Sequence, residues 1–211
     1  DGAGMAREEL SLALARHATS KVGSLAELEE VTSLGFRGEA LPSVASVSRM
    51  SVTACAPGAD MAWQLDASGA APGSEPTPAA HPVGTTVEVR DLFYNTPGRR
   101  KFLRADRTEL GHSQALIRRM ALARFDVGFR LRHNERTLLQ VPPATTQAAG
   151  EERLAQLMGQ GFVAECLRID AEAAGLRLRG WIGLPTFSRG SADLQYLFVN
   201  GRAIRDRVAA H

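Results

Sequence analysis

A chain of 211 residues, 44% hydrophobic and 23% charged, has the make-up of one large or two small globular domains, which excludes global disorder, a collagen repeat and a coiled coil. No apolar run reaches the roughly 18 to 20 residues that span a bilayer; Cys55 and Cys166 lie far apart with no histidine-rich neighbourhood, so a disulfide framework and a zinc site are not expected, and a reducing, cytoplasmic setting is. The net charge of +2 hides a division, because Arg99 to Arg136 holds eleven basic residues against four acidic ones, a local +7 that leaves −5 elsewhere.

In chain order, Asp1-Gly2-Ala3-Gly4 is a glycine turn of the kind that normally follows a strand. Ala6 to His17 reads as a helix, with Leu10, Ala13 and Leu14 at helical spacing and Glu8 and Glu9 in the first turn. Ser24 and Glu27 form a capping-box pattern for a second short helix. Gly35-Phe36-Arg37-Gly38 turns into a helix from about Glu39 to Ser46. Arg49 to Cys55, Met61 to Leu65 and Val83 to Val89 show strand character, with a proline- and alanine-rich loop at Pro72 to Pro82. A turn at Asn95 to Gly98 precedes a short basic helix, then a longer one from Thr108 to Phe125. Val127 to Leu131 alternates and pairs with Thr137 to Val141 as a hairpin. The stretch 142–150, Pro-Pro-Ala-Thr-Thr-Gln-Ala-Ala-Gly, has linker composition. A helix from Glu151 to Met158 follows, then strands around Leu167, Leu176 to Ile182 and Leu194 to Val199, and a tight Asn200-Gly201 turn.

Gly2-Ala3-Gly4, Gly35 to Gly38 and Gly84-Thr85-Thr86 let backbone N–H groups approach an anion with no Cβ in the way. Neither a Walker loop nor a G-x-G-x-x-G fingerprint is present, so a nucleotide site would be of another type. The basic window is the footprint of a polyanion-binding face, although a solvated helix with scattered arginines gives the same count.

Taken together, DGAGM, ARHATSKV, SLGFRGEALPSVASVSR, HPVGTTVEVRDLFYNTPGRRKFLR and YLFVNGRAIRDR resemble the N-terminal ATPase region of the MutL family of DNA mismatch-repair proteins, within the GHKL group. The resemblance runs in order over nearly the whole chain. It implies an α+β protein: a partial GHKL (Bergerat) ATPase sandwich over residues 1–141, the linker 142–150, and the start of a smaller βαβ-type second domain over 151–211.

The resemblance also implies ATP with Mg2+ as ligands. Asp1, Gly2 and Gly4 match the turn lining the nucleotide, with the adenine-contacting aspartate one position upstream or, in a shifted register, Asp1 itself. Thr85 matches the threonine supporting adenine recognition. Thr19, Ser20 and Lys21, with Gly35, Phe36, Arg37, Gly38, Glu39, Ala40 and Leu41, match the lid around the phosphates. Phe36 is expected to pack the lid, and Arg37 is compatible with a structural role.

No catalytic residue and no metal ligand is assigned within the chain. The family's general-base glutamate lies on a helix upstream of the DGAGM motif and its γ-phosphate lysine downstream of residue 211, so little or no turnover is expected of these 211 residues alone. Lys101, Arg104, Arg119 and Arg207 fall where the family presents cations to DNA, which implies sequence-tolerant phosphate contacts. Phe93 and Phe102 are expected in the core, and base stacking is not suggested. The implied partners are DNA, a second copy through the N-terminal region on ATP binding, and a mismatch-recognition protein of MutS type. A type II topoisomerase ATPase region, and a nucleic-acid-binding module whose glycine turns are only structural, are the competing readings.

Overall fold

The computed structural model describes residues 2–16, 18, 38–69, 75–187 and 195–204. The chain divides into two compact units, Asp1–Arg104 and Ala105–His211, each built on its own core. No helix among the described residues is long and apolar enough to cross a membrane.

The first unit is a four-stranded antiparallel sheet with two helices against it. Helix α1 spans Arg7–Ala13 and opens with Glu8 and Glu9 in its first turn. The Ala6 N–H donates to Glu9 Oε2 at 2.7 Å, the glutamate half of a capping box, while alanine has no side-chain oxygen for the other half. Helix α2 spans Ala40–Ala45. The strands are β1 (Arg49–Cys55), β2 (Ala62–Ser68), β3 (Thr77–Ala79) and β4 (Gly84–Arg90), in the order β3-β2-β1-β4. Period-two alternation puts Met50, Val52 and Ala54 on one face of β1, opposite Ala67, Leu65 and Trp63 on β2 and Val89, Val87 and Thr85 on β4. Helix α1 packs on β2 and α2 on β1. Leu10, Ala45, Met50, Val52, Ala54, Leu65 and Ala67 form the resulting core. Val87 and Val89 lie on the same face but stay 44% and 43% exposed.

After β4 the chain turns sharply through Asp91 (φ 50°) and Phe93 (φ 64°), left-handed conformations that non-glycine residues seldom adopt. Three contacts hold the turn down. The Phe93 N–H donates to Val47 O at 2.7 Å, Asn95 Nδ2 donates to Ser46 O at 2.9 Å, and the Tyr94 and Ser68 hydroxyls hydrogen-bond at 3.1 Å. A short helix α3, Pro97–Arg100, follows, with proline at its start.

The second unit contains α4 (Asp106–Ala123), the hairpin β5 (Phe129–His133) and β6 (Arg136–Val141), α5 (Gln147–Met158), the short α6 (Gln160–Ala164), the hairpin β7 (Cys166–Ala173) and β8 (Leu176–Gly183), a 3-10 turn at Pro185–Phe187, and β9 (Leu197–Val199) with β10 (Arg202–Ile204). In chain order strands and helices alternate, and the ladders among the described residues are antiparallel hairpins. Both units therefore mix helix and sheet, as an α+β protein does.

The boundary differs from the one expected at 142–150. The units meet at Arg104/Ala105, and the proline-rich stretch is a packed strap in the second unit. Val141 and Ala144 are 3% and 7% exposed, and the Ala144 N–H donates to Phe125 O at 2.7 Å. Thr146 Oγ1 accepts from the Ala149 N–H at 3.3 Å as the N-cap of α5, so residues 147–150 form that helix's first turn. Small residues and prolines have linker composition, but here their lack of long side chains lets the strand run close to Gly128 and Phe125.

Candidate functional site

The glycines of the first unit are required by close approach as well as by φ. Gly4 (φ +63°) lies against the end of β1, where an added Cβ would run into the Cys55 carbonyl, its carbon only 2.5 Å away. Cys55 pairs with Gly84, the first residue of β4, and Ala54 pairs with Thr85. Gly4, Gly84 and Thr85 thus meet at one end of the sheet, with half-buried Thr85 on the face that carries the helices. Gly2 (φ +81°) precedes them, and no described atom lies within 4 Å of where its Cβ would be. The neighbouring Thr86 hydroxyl is already bonded, 2.7 Å from His81 Nε2. This is backbone a ligand can approach, beside one half-buried hydroxyl.

Gly38 (φ +60°) stands against Ala18, whose carbonyl carbon would lie 2.8 Å from a Cβ. It leads through Glu39 into α2, and Leu41 packs against the core cluster. Only backbone groups of Ala40 and Leu41 are therefore available to a ligand. Asp1, Thr19, Ser20, Lys21, Gly35, Phe36, Arg37 and Arg207 lie outside the described residues. An open cavity of about 400 Å³ adjoins the start of α1, lined by Met5, Arg7, Ala56, Met61 and Trp63 among others. None of the residues expected at the nucleotide lines it. Among the described residues no group of three or more His, Cys, Asp or Glu side chains could hold a metal ion.

The basic residues divide between the units. Lys101 and Arg104 close the first, both exposed, while Arg119 is half-buried on α4 of the second. Arg107 and Arg118, eleven positions apart, fall within about 20° of each other around the helix and are both exposed. That spacing makes them a better aligned pair than any that includes Arg119. Phe102, expected in the core, is 85% exposed. Apolar neighbours suggested burial, but the turn that carries Phe102 leads the chain off the sheet.

Comparison with known proteins now bears on this geometry. The chain is 57% identical over all 211 residues to the DNA mismatch repair protein MutL of Pseudomonas fluorescens and 56% to that of Azotobacter vinelandii, spanning 33% of each relative. A family model described as the C-terminal domain of DNA mismatch repair protein matches residues 154–211. The chain belongs to the MutL family. The Aquifex aeolicus MutL ATPase domain complexed with ADP superposes with a TM-score of 0.67 at 28% identity, over 90% of this chain and 69% of that one. The N-terminal domain of a DNA repair protein gives 0.73 over 97% of this chain and 63% of that one; at 22% identity it supports the fold alone. As a MutL family member, the chain spans about one third of the length of the curated relatives it matches, and both units fall within the fold of MutL ATPase-domain structures.

Sequence reasoning missed two features of this chain. The pairing of Cys55 with Gly84 is a contact between distant residues that no local pattern reveals. The Arg107 and Arg118 stripe was available from helical spacing alone.

Proposed function

We propose that this chain is the nucleotide-binding and relaying part of an ATP-switched mismatch-repair clamp. The first unit holds the nucleotide, and the second passes its state onward. The observation that carries this reading is the meeting of Gly4, Gly84 and Thr85 at one end of the sheet, with Gly4 two residues after Gly2 in the chain. The ADP-bound ATPase domain of the Aquifex relative supports it.

Gly2 offers backbone to a ligand, and the Thr85 hydroxyl offers a donor and an acceptor. Asp1 and Gly4 complete the turn, and Gly38 to Leu41, with Thr19, Ser20, Lys21 and Gly35 to Arg37, cover the phosphates. Mg2+ would accompany the bound triphosphate and supply charge neutralisation there.

Lys101, Arg104, Arg119 and Arg207 contact DNA phosphates, so binding is sequence-tolerant and falls steeply with salt. A second copy joins through the N-terminal region when nucleotide binds, and a MutS-type protein supplies the mismatch signal.

The test is equilibrium binding of a fluorescent ATP analogue to the chain and to Thr85→Val, with thermal melts alongside. Loss of the hydroxyl should weaken binding about tenfold at an unchanged melting temperature. Equal affinities would remove Thr85 from the site. A wild-type chain that binds no analogue would favour the second reading, a nucleic-acid-binding module, for which the packing demands on Gly4 and Gly38 are a sufficient reason for glycine.

A further inference from the structure

Phe102 is 85% exposed, the most exposed of the large hydrophobic side chains among the described residues. An aromatic ring left in water gains nothing from burial unless something covers it. The ring stands on a fixed base. The Phe102 N–H donates to Arg99 O at 3.0 Å and the Leu103 N–H to Arg100 O at 3.2 Å, which continues the turn of α3 past its end. The preceding segment is tied to the sheet through Phe93, Tyr94 and Asn95, and the Arg49 guanidinium lies 4.9 Å from the Tyr94 ring centroid.

The surroundings of the ring identify what covers it. Arg99, Arg100 and Lys101 immediately precede it and are all exposed, and no acidic residue occurs from Leu92 to Ala105. A protein segment docking on Phe102 would have to accommodate these cations, whereas a nucleic acid strand requires them. A duplex supplies phosphates but keeps its base faces stacked on one another. A single strand supplies both phosphates and free base faces, and an aromatic beside cations is the arrangement that receives it. Resting on the DNA-binding reading above, we infer that Phe102 is a stacking site for an unpaired base, with Arg99, Arg100 and Lys101 on the flanking phosphates.

The test uses the 211-residue chain, fluorescein-labelled oligothymidylate and a duplex of equal length, read by anisotropy at low and physiological salt. Phe102→Leu keeps the apolar bulk and removes the π face. It should weaken single-strand binding about fivefold to tenfold and leave duplex binding within about twofold. Phe102→Trp should restore single-strand affinity, and the new indole should be quenched by oligothymidylate. Arg100→Glu should weaken both forms and lower the salt dependence. Circular dichroism melts of Phe102→Leu should match wild type, since the side chain buries little.

If the chain binds DNA and Phe102→Leu binds oligothymidylate as wild type does, the stacking site is overturned while the DNA reading stands. If Phe102→Leu weakens duplex and single strand equally, the preference for unpaired bases is overturned. If the wild-type chain binds neither form, the DNA reading fails and the stacking site fails with it.

Discussion

The two units solve the problem of a core differently. In the first, the buried side chains among the described residues are almost all apolar; the Ser48 hydroxyl donates locally to Val44 O at 2.7 Å, and the buried Thr96 Oγ1 has no partner among those residues. In the second, a charged residue sits in the middle. Arg153 on α5 is 2% exposed; its guanidinium donates to Arg124 O at 3.3 Å, Phe125 O at 2.8 Å and Val127 O at 2.6 Å. Its Cζ lies 5.4 Å from the Phe125 ring centroid and 5.6 Å from that of Phe129.

These carbonyls belong to the segment just after α4, where backbone acceptors lack helical partners and a cation is favoured. Burial lowers the Arg153 pKa, and Asp126 acts against that shift. The first unit depends on how closely backbones approach, the second on one cation satisfying a cluster of acceptors. Each mode of construction has its own point of failure. Trp63 in the first unit and Trp181, stacked on Phe125 in the second, report on them separately.

The largest effect is expected at Gly4. Gly4→Val places a branched side chain on the Cys55 carbonyl in a left-handed conformation, which should cost about 4 kcal/mol or more. Urea melts followed at Trp63 in a Trp181→Phe background should show the loss. A Gly4→Ala chain as stable as wild type would mean that the backbones do not touch there.

Next comes Arg153→Ala, which takes the guanidinium donor from Val127 O, leaves Phe125 O and Arg124 O with only their backbone donors, and strips two rings of their cation; about 3 kcal/mol should be lost. Arg153→Lys should recover only part, because an ammonium lacks the planar fork that reaches several carbonyls at once. The measurement is the urea midpoint at Trp181 in a Trp63→Phe background. If Arg153→Lys matches wild type, the fork geometry is not what holds the segment.

Gly2→Ala is milder. Its φ of +81° penalises any side chain by about 1–2 kcal/mol, but no atom of the described residues lies within 4 Å of an added Cβ. A melt shifted as far as that of Gly4→Ala would erase the distinction between an open glycine and a pinched one.

The contrast also explains what the sequence disclosed. The span of β1 follows from alternation over Arg49–Cys55, because a half-buried strand shows its two faces in every residue pair. The glycine turns were legible as turns, and their meeting only through the family resemblance, because Gly4 reaches Gly84 through the non-local ladder of β1 and β4. Arg153 looked like any arginine on a helix, because a charge is buried by carbonyls some 26 to 29 residues earlier in the chain. Phe102 misled in the opposite direction, since an aromatic beside leucine has core composition and only the course of the chain exposes it. The packed strap at 142–150 was hidden for the same reason.

The smallest effect tests the periphery of the second unit. Arg124 Nη2 donates to Asp126 Oδ2 at 2.6 Å and Arg124 Nε to Oδ1 at 2.9 Å. This fork holds the Asp126 carboxyl at about 2, below its ordinary 3.8. A depressed acid contributes stability that is present above the unfolded value and is lost as pH falls through the folded one. The pair is exposed, so salt screens it. Asp126→Asn should therefore flatten the fall of the Trp181 urea midpoint between about pH 4 and pH 2, more at low salt than at high. Asp170, held down by Arg177 on the β7–β8 hairpin, titrates in the same direction and will leave a residual slope. If Asp126→Asn and wild type lose stability in parallel across that range, the fork contributes nothing to the second unit, and the segment after α4 is secured by Arg153 and the Ala144 N–H instead.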